Sequence, residues 1–206
     1  MKTKALLISL LACLLSVSGF TAEEKAAVPA EQKMSPEMQA KMAEMEKVTT
    51  PNENHKLLDA FIGNWNIAMQ CWMSADAKPE ISQGTSSIHW IMGGRFFQED
   101  FKGMSMGKPF EGLGVVGYDT IRGEYTSTWL DNMATGIMVG SAQYDAATKT
   151  FNENATMSCP LTMEKNRPMR SVIKSADADH FTREMYMKDK EGKEFKMMDL
   201  NYERVK

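Results

Sequence analysis

The chain has 206 residues and a formal net charge of −3, and 43% of its residues are hydrophobic. This length and apolar content suffice for one domain with a buried core, and without a basic stripe nucleic acid is not an expected partner. Methionine is abundant, with 19 residues, so its placement has to be explained.

Residues 1–22 are predicted to be a secretory signal peptide. Two lysines precede an apolar core over 5–17, and small residues follow it. The core is too short to span a bilayer, which needs about 20 apolar residues. Cleavage after Gly19 fits the small residues better than cleavage after Ala22. The mature protein is therefore expected in the periplasm or outside the cell. A lipoprotein anchored at Cys13 is less favoured, because the apolar run continues past this cysteine.

Residues 23–54 are predicted to be a linker that contains one short amphipathic helix. The segment is rich in Ala, Glu, Lys, Pro and Met and has almost no aromatic residues, which is typical of solvated chain. Ser35 is placed to cap the helix, with Pro36 just inside it. The methionines of this helix recur at helical spacing and form one stripe, Met34, Met38, Met42 and Met45.

A methionine stripe permits a copper interpretation, because thioethers are soft ligands that select Cu(I). Met104 and Met106 form a second cluster, and Met185 and Met187 form a third, neither with a neighbouring histidine or cysteine. Methionine also recurs at alternating positions, where it would simply fill a core. A periplasmic copper-handling protein is therefore one alternative. A structural or interaction protein with a barrel filled by its own side chains is another.

The domain over residues 55–206 begins with a short apolar helix that is expected to end at Gly63. From Trp65 the apolar residues alternate, which predicts a strand as far as Met73. Nine further strands are predicted, with turn residues between them, at 83–92, 95–103, 109–118, 123–131, 135–144, 149–158, 168–175, 180–188 and 194–204. Because no helical pattern intervenes, the connections are expected to be hairpins between antiparallel strands.

About ten strands in a meander are predicted to close into a barrel, since an open sheet would leave two exposed edges. The glycines of PFEGLGVVGYD, residues 109–119, bear on this prediction. A phosphate loop needs glycines between a strand and a helix, whereas here another strand follows. Gly112 and Gly114 share a face with Phe110 and Val116, where missing side chains let a strand bend. The stretch is interpreted as a barrel corner, with close approach of a ligand as the alternative.

Six segments between His55 and Arg204 carry a family resemblance. In chain order they are HKLLDAFIGNW, IMGGRFFQEDF, GKPFEGLGVVGYD, YTSTWLDNMATG, YDAATKTF and EMYMKDKEGKEFKMMDLNYER. In these segments the chain resembles the DUF1579 family of bacterial proteins of unknown function. The resemblance implies a calycin-like β-barrel, similar in architecture to lipocalins and fatty-acid carriers, and it implies no activity.

Two cysteines remain if Cys13 leaves with the signal peptide. Cys71 and Cys159 are not part of the family pattern, and an even count in an exported protein allows a disulfide. Cys71 continues the apolar face of Trp65, and Cys159 continues that of Phe151. A Cys71–Cys159 disulfide is predicted, with two buried thiols as the alternative.

A barrel of this size can hold one small ligand, and such pockets are mostly apolar with a few polar groups. The predicted ligand-binding residues are aromatic side chains at strand positions and two charged ones, namely Trp65, Trp90, Arg95, Phe97, Glu99, Trp129 and Tyr202. If Phe97 points inward, Arg95 and Glu99 share its face and form a buried ion pair, since an unpaired buried charge is costly. In the alternative, the even-numbered residues of this strand face inward.

Catalytic and metal chemistry have little support in the sequence. His55, His89 and His180 are predicted at a helix start, at an outward strand position and at an Asp-rich turn, without metal-ligand spacing. The sequence has no nucleophile elbow, HExxH or Walker motif. No catalytic residue, metal ligand, cofactor or stable membrane insertion is predicted. The preferred function is binding of a small apolar or amphipathic molecule in the barrel.

Overall fold

The computed structural model describes residues 34–160 and 162–206, so the predicted signal peptide, the alternative anchor at Cys13 and the start of the predicted linker lie outside the described residues. The described chain begins with α1 (Pro36–Thr49), α2 (Glu53–Lys56) and a 3₁₀ helix (Leu57–Phe61). The strands are β1 (Gly63–Cys71), β2 (Glu80–Ile91), β3 (Phe96–Ser105), β4 (Lys108–Asp119), β5 (Glu124–Asp131), β6 (Met138–Asp145), β7 (Thr150–Cys159), β8 (Glu164–Ser175), β9 (His180–Lys188) and β10 (Glu194–Arg204).

These strands form one closed antiparallel barrel. Each strand pairs with its neighbours in the sequence, and β1 closes the barrel on β10 from the pair Trp65–Arg204 to the pair Cys71–Met198. Closure pairs the edges that an open sheet would expose. The predicted fold, a mainly β protein with an antiparallel meander barrel of about ten strands and a short N-terminal helix, is confirmed.

Helix α1 lies on the outside of the barrel. Ser35 caps it by accepting a hydrogen bond from the Met38 amide at 3.2 Å, and Pro36 follows the cap, as predicted. The structure describes α1 in full, and the helix buries none of its side chains. The Thr120 hydroxyl donates a hydrogen bond to the Val48 carbonyl near the helix end. Across residues 34–160 and 162–206, no helix has the length and apolar character needed to cross a membrane.

The 3₁₀ helix plugs the barrel at the end where β1 begins. Leu58 and Phe61 are buried, and the Phe61 ring packs edge-on against Phe181 with centroids 5.0 Å apart. Just before it, His55 is buried and accepts a hydrogen bond from the Asn52 amide at 3.0 Å, which caps α2. This end of the barrel is therefore filled with apolar side chains.

Arg204 at the end of β10 holds the start of β1 in place. Arg204 donates to the Ile62 carbonyl at 2.7 Å, and its guanidinium lies 4.1 Å from the ring centroid of Trp65. Gly63 has a φ of +143°, and a Cβ there would stand 2.2 Å from Nη1 of Arg204. Glycine is thus required where the arginine crosses the chain. Trp65 is 1% exposed and donates through Nε1 to the Phe61 carbonyl at 2.8 Å.

The glycines of β4 make room for an aromatic ring. The indole of Trp129 lies against the inner face of Gly112 and Gly114, where added Cβ atoms would stand 2.2 Å and 3.2 Å from ring carbons. On the opposite face, the ring of Phe96 occupies the space beside Gly117. Gly112 and Gly114 share one face of β4, as predicted, and the group that approaches their backbone is the protein's own tryptophan.

The predicted Cys71–Cys159 disulfide is not present in the structure. Cys71 ends β1 and Cys159 ends β7, and three strands separate β1 from β7 along the shorter way around the barrel. Neighbouring strands are about 4.8 Å apart, whereas a disulfide needs Cα atoms within about 7 Å. Cys159 instead accepts a hydrogen bond from Nη1 of Arg167 at 3.5 Å. Alternation placed each cysteine on the correct face but did not tell which strands are close together.

Candidate ligand-binding cavity

The barrel interior changes in character along its axis. Next to the helical plug lie buried aromatic side chains that include Phe97, Tyr125, Phe151 and Phe181. A layer of polar residues, called the polar belt below, crosses the middle of the barrel and consists of Ser86, Glu99, Ser127, Glu153, Ser171, Arg183 and Tyr202. Beyond the belt, methionine is the most frequent residue in the lining of the opposite end. Polar groups are thus held between two apolar regions.

Glu99 is the belt carboxyl group that is bonded to hydroxyls. Its Oε1 accepts hydrogen bonds from the Ser86 hydroxyl at 2.8 Å and from the Tyr202 hydroxyl at 3.3 Å. Burial raises the pKa of Glu99 above its ordinary value of 4.5, and these bonds and the Arg183 charge offset the shift only in part. Burial, together with Glu99, also raises the pKa of Tyr202 well above 10. Both groups therefore keep their protons to higher pH than exposed groups do.

Glu153 is the belt carboxyl group that is bonded to a cation. Nη2 of Arg183 donates to its Oε2 at 2.7 Å, and the Ser127 hydroxyl donates to its Oε1 at 2.5 Å. Burial alone would raise the pKa of Glu153, but the Arg183 charge and the hydrogen bonds lower it below 4.5. Burial by itself would lower the pKa of the Arg183 guanidinium. The negative charge of Glu153 acts in the opposite direction, and the pKa of the guanidinium is raised. The belt therefore contains an ion pair beside a carboxyl group that resists ionisation.

The belt contains an unsatisfied donor on Arg183. Nε of Arg183 is buried and has no hydrogen-bond partner among the residues that the structure describes. An unmet buried donor costs about 1–3 kcal/mol. Arg183 and Tyr202 line the spaces on both sides of the belt, so an acceptor from either side would stabilise this position.

The space between the plug and the belt is small. Its volume is about 80 Å³, and it is lined by aromatic and aliphatic side chains together with Glu99, Glu153 and Arg183. A space of this size with polar groups on one side suits a few water molecules rather than an organic ligand.

The space on the other side of the belt is larger and opens at the barrel end opposite the plug. Its volume is about 320 Å³. Eleven of its lining residues are methionines, namely Met69, Met73, Met104, Met106, Met138, Met157, Met169, Met185, Met187, Met197 and Met198. This space, called the methionine cavity below, contradicts the alternative of a barrel filled by its own side chains. The two methionine clusters noted in the sequence, Met104 with Met106 and Met185 with Met187, both line this cavity.

Four of the seven predicted ligand-binding residues line these spaces. Phe97 and Glu99 line the small one, Trp129 the methionine cavity, and Tyr202 both. The other three lie elsewhere: Trp65 is packed beneath Arg204, and Trp90 is half-buried and donates to Asp59 at 3.0 Å. Arg95 is exposed. The binding role of these residues stays a prediction.

The predicted Arg95–Glu99 ion pair is wrong. Phe97 and Glu99 do point into the barrel, but Arg95 lies in the turn before β3 and donates to the Met92 carbonyl at 3.3 Å. Alternation between the two faces holds only within a strand, and Arg95 lies just before the first strand residue. The even-numbered alternative for this strand is also wrong, because Phe96 is exposed.

Arg183 and Glu153 were not among the predicted site residues, although the sequence carries the same signal for both. On β9, Arg183 lies two residues after inward Phe181. On β7, Glu153 lies between inward Phe151 and Ala155. A charged residue at an apolar position of the alternation marks a buried charge. Applied to every strand, this rule identifies both partners of the ion pair.

The histidines and the helix methionines lie away from the cavity. His180 is exposed and bonded to Asp177 at 2.9 Å, and His89 is exposed 3.7 Å from Asp100. The stripe on α1 is 43–50% exposed. Within the described part of the chain, no group of three or more His, Cys, Asp and Glu side chains is arranged to hold a metal ion.

The family model described as "Protein of unknown function (DUF1579)" matches residues 50–204. The chain belongs to the DUF1579 family. This DUF1579 protein is similar in structure to the S-type phycobiliprotein lyase CPES from Guillardia theta, with a TM-score of 0.55 and 14% identity over 78% of this chain and 97% of that one. It is also similar to Rv2717c from M. tuberculosis, with a TM-score of 0.57 and 10% identity over 76% and 100% of the two chains. No curated protein matches the sequence.

Proposed function

We propose that this protein binds a small, mostly apolar molecule in the methionine cavity, with the polar end of the ligand against the polar belt. The observation that carries the proposal is the cavity itself. It is open at one end, its walls are largely apolar, and Arg183 and Tyr202 stand among its lining residues. Ligand pockets have this combination of apolar walls and a few placed polar groups.

The volume and the lining of the methionine cavity limit the size and the type of the ligand. A volume of about 320 Å³ lies near the lower end of the range of about 300–1,000 Å³ for ligand pockets, so the ligand is small. Apolar surface buried against the walls contributes about 25 cal/mol per Å². Methionine side chains are unbranched and adapt their shape, so several related apolar molecules are expected to fit.

The polar belt determines which polar group the ligand is expected to carry. Nε of Arg183 offers an unmet hydrogen-bond donor, but the charge of Arg183 is already balanced by Glu153 at 2.7 Å. A ligand carboxylate would add a second negative charge to a buried ion pair, which is costly. The belt therefore favours an uncharged acceptor, such as a carbonyl or hydroxyl oxygen, over a carboxylate.

The similarity to an S-type phycobiliprotein lyase is consistent with a barrel that handles a small molecule, although at 14% identity this similarity extends to the fold alone. We further propose that binding takes place in the periplasm or outside the cell, because residues 1–22 have the pattern of a signal peptide. Cell fractionation and N-terminal sequencing of the mature chain test this location. A cytoplasmic chain that keeps its first residues would contradict it.

Native mass spectrometry of the protein purified from cells, before and after denaturing extraction, tests for a carried ligand. A mass excess that disappears on extraction is expected, and its size identifies the class of molecule. Displacement of an uncharged naphthylamine dye by octanol and by octanoate tests the polar end. Octanol should displace the dye at lower concentration, and the reverse order would contradict an uncharged acceptor.

A blocked cavity supplies the control for dye binding. Ala134 lines the mouth of the methionine cavity, so Ala134→Trp is expected to abolish dye binding while the barrel still folds. Ala147 is exposed in the turn between β6 and β7, at the plugged end, and Ala147→Trp should bind dye as the wild type does. Equal binding by the two variants would show that the dye binds outside the cavity.

A further inference from the structure

Three sulfur-containing side chains lie in one row on the wall of the methionine cavity. Cys71 at the end of β1 is directly opposite Met198 on β10, and Met198 is directly opposite Met185 on β9. All three line the cavity. Directly opposite residues of antiparallel strands point to the same face, with Cβ atoms about 4.5–5.5 Å apart. The register of three neighbouring strands thus brings one thiol and two thioethers together.

We propose that this row binds one Cu(I) ion through Sγ of Cys71 and the Sδ atoms of Met185 and Met198. Thiolate and thioether sulfurs are the soft ligands that select Cu(I). Two sulfurs on one metal ion lie within about 4.6 Å of each other, twice a metal–sulfur bond of about 2.3 Å. Methionine has three rotatable side-chain bonds, so neighbours at the cross-strand spacing reach a common point.

Charge balance also fits a monovalent ion. On binding, the S–H bond of Cys71 breaks, its proton goes to solvent, and the thiolate sulfur bonds to Cu(I). The thiolate and Cu(I) together are neutral, so binding adds no net charge at the half-buried Cys71, which lies directly opposite Glu80 on β2.

The inferred site differs from the stripe on α1. Met38 and Met42 are exposed to solvent at 48% and 43%, and α1 contains no thiol. The row in the cavity combines a cysteine with a wall that limits access of water. If copper binds in the cavity, substitution of Cys71, Met185 or Met198 should weaken binding and substitution of Met38 should not. If copper binds on α1, the reverse is expected.

Anaerobic titration of the full chain with the Cu(I)–bicinchoninate complex tests the site. The wild type is expected to remove one equivalent of Cu(I) from the dye. Because disturbing even the neighbours of metal ligands costs about 10–100-fold in affinity, Cys71→Ser, Met185→Leu and Met198→Leu should each weaken binding at least tenfold. Met38→Leu on α1 is the matched control and should bind as the wild type does.

Several results would overturn the proposal. They are no competition by the wild type, unchanged binding by Cys71→Ser, unchanged binding by both methionine variants, and displacement of Cu(I) by equimolar Zn²⁺. Urea unfolding of each variant establishes that it is folded. The exchange of Met for Leu conserves volume and usually costs less than about 1.5 kcal/mol, so Met185→Leu and Met198→Leu carry the test even if Cys71→Ser does not fold.

Discussion

At the scale of single residues, the two belt glutamates show how neighbours decide the state of a buried carboxyl group. Glu99 and Glu153 are both buried, but Glu153 touches the guanidinium of Arg183, whereas Glu99 accepts its bonds from hydroxyls. The pKa of Glu153 is lowered and that of Glu99 is raised. The same side chain therefore has opposite charge preferences on β3 and β7.

Replacing each glutamate by glutamine should have unequal effects on the free energy of unfolding. Glu153→Gln leaves Arg183 buried beside a neutral amide, and breaking such a pair costs about 3 kcal/mol. Glu99→Gln keeps an acceptor for Ser86 and replaces a group that resists ionisation, so the expected loss is about 1 kcal/mol. Urea unfolding measures both values. Equal losses would contradict this assignment of charges.

The pH dependence of stability should differ in sign between the two positions. The folded pKa of Glu99 lies above 4.5, so stability falls as pH rises from 4.5 through the folded pKa. The folded pKa of Glu153 lies below 4.5, so its contribution is present above 4.5 and is lost as pH falls through the folded pKa. Glu99→Gln should remove the first slope and Glu153→Gln the second. Urea unfolding of the wild type and both variants across this range checks the slopes, and parallel curves would contradict them.

The close contact between Gly112 and the Trp129 ring predicts the effect of adding a side chain at position 112. Gly112→Ala places a Cβ 2.2 Å from a ring carbon of Trp129, and overpacking of this kind costs about 1–3 kcal/mol. Gly136→Ala is the matched control, because its Cβ would meet Ser158 at an ordinary 3.5 Å. The control should be neutral or stabilised by up to about 1 kcal/mol. Urea unfolding of both variants checks the difference, and a neutral Gly112→Ala would mean that the indole moves aside.

At the scale of elements, the sequence predicted strands well where one face is buried and the other is not. The bounds of β9 and β10 agree with the alternation, whereas β8 begins at Glu164 rather than at 168. Residues 164–166 are exposed, so no alternation marks them. The contact of Arg183 with Glu153 could not be predicted, because alternation gives the face of a residue but not its neighbours across the interior.

Helix α1 is expected to contribute little to the stability of the barrel. It buries none of its side chains, and substitutions at such surface positions change the free energy of unfolding by about 0.5 kcal/mol or less. Deleting residues 34–47 keeps Val48, which accepts a hydrogen bond from Thr120, and should leave the urea midpoint of the barrel unchanged. A lowered midpoint would show that the helix packs on the barrel. An unchanged midpoint leaves its methionines available for a partner.

At the scale of the whole molecule, the two ends of the barrel have different roles. The plugged end holds the 3₁₀ helix, the stacked rings of Phe181 and Tyr202 at 3.9 Å, and the clamp of Arg204 on Trp65. The open end has flexible methionines around a cavity of about 320 Å³. Packing density is what makes a region rigid, so rigidity is concentrated at the end that does not receive the ligand.

Hydrogen exchange should therefore distinguish the two ends. Amides in the turns at 72–79 and 132–137, on the open side, should exchange before those of Leu57–Phe61, because few buried contacts hold them. Saturation with the uncharged dye should slow exchange at the open side and leave the plug unchanged, since a ligand stabilises what it contacts. Ala134→Trp, which blocks the cavity mouth, should lose this slowing. Dye-dependent protection that is uniform along the barrel, or that persists in Ala134→Trp, would contradict binding in the methionine cavity.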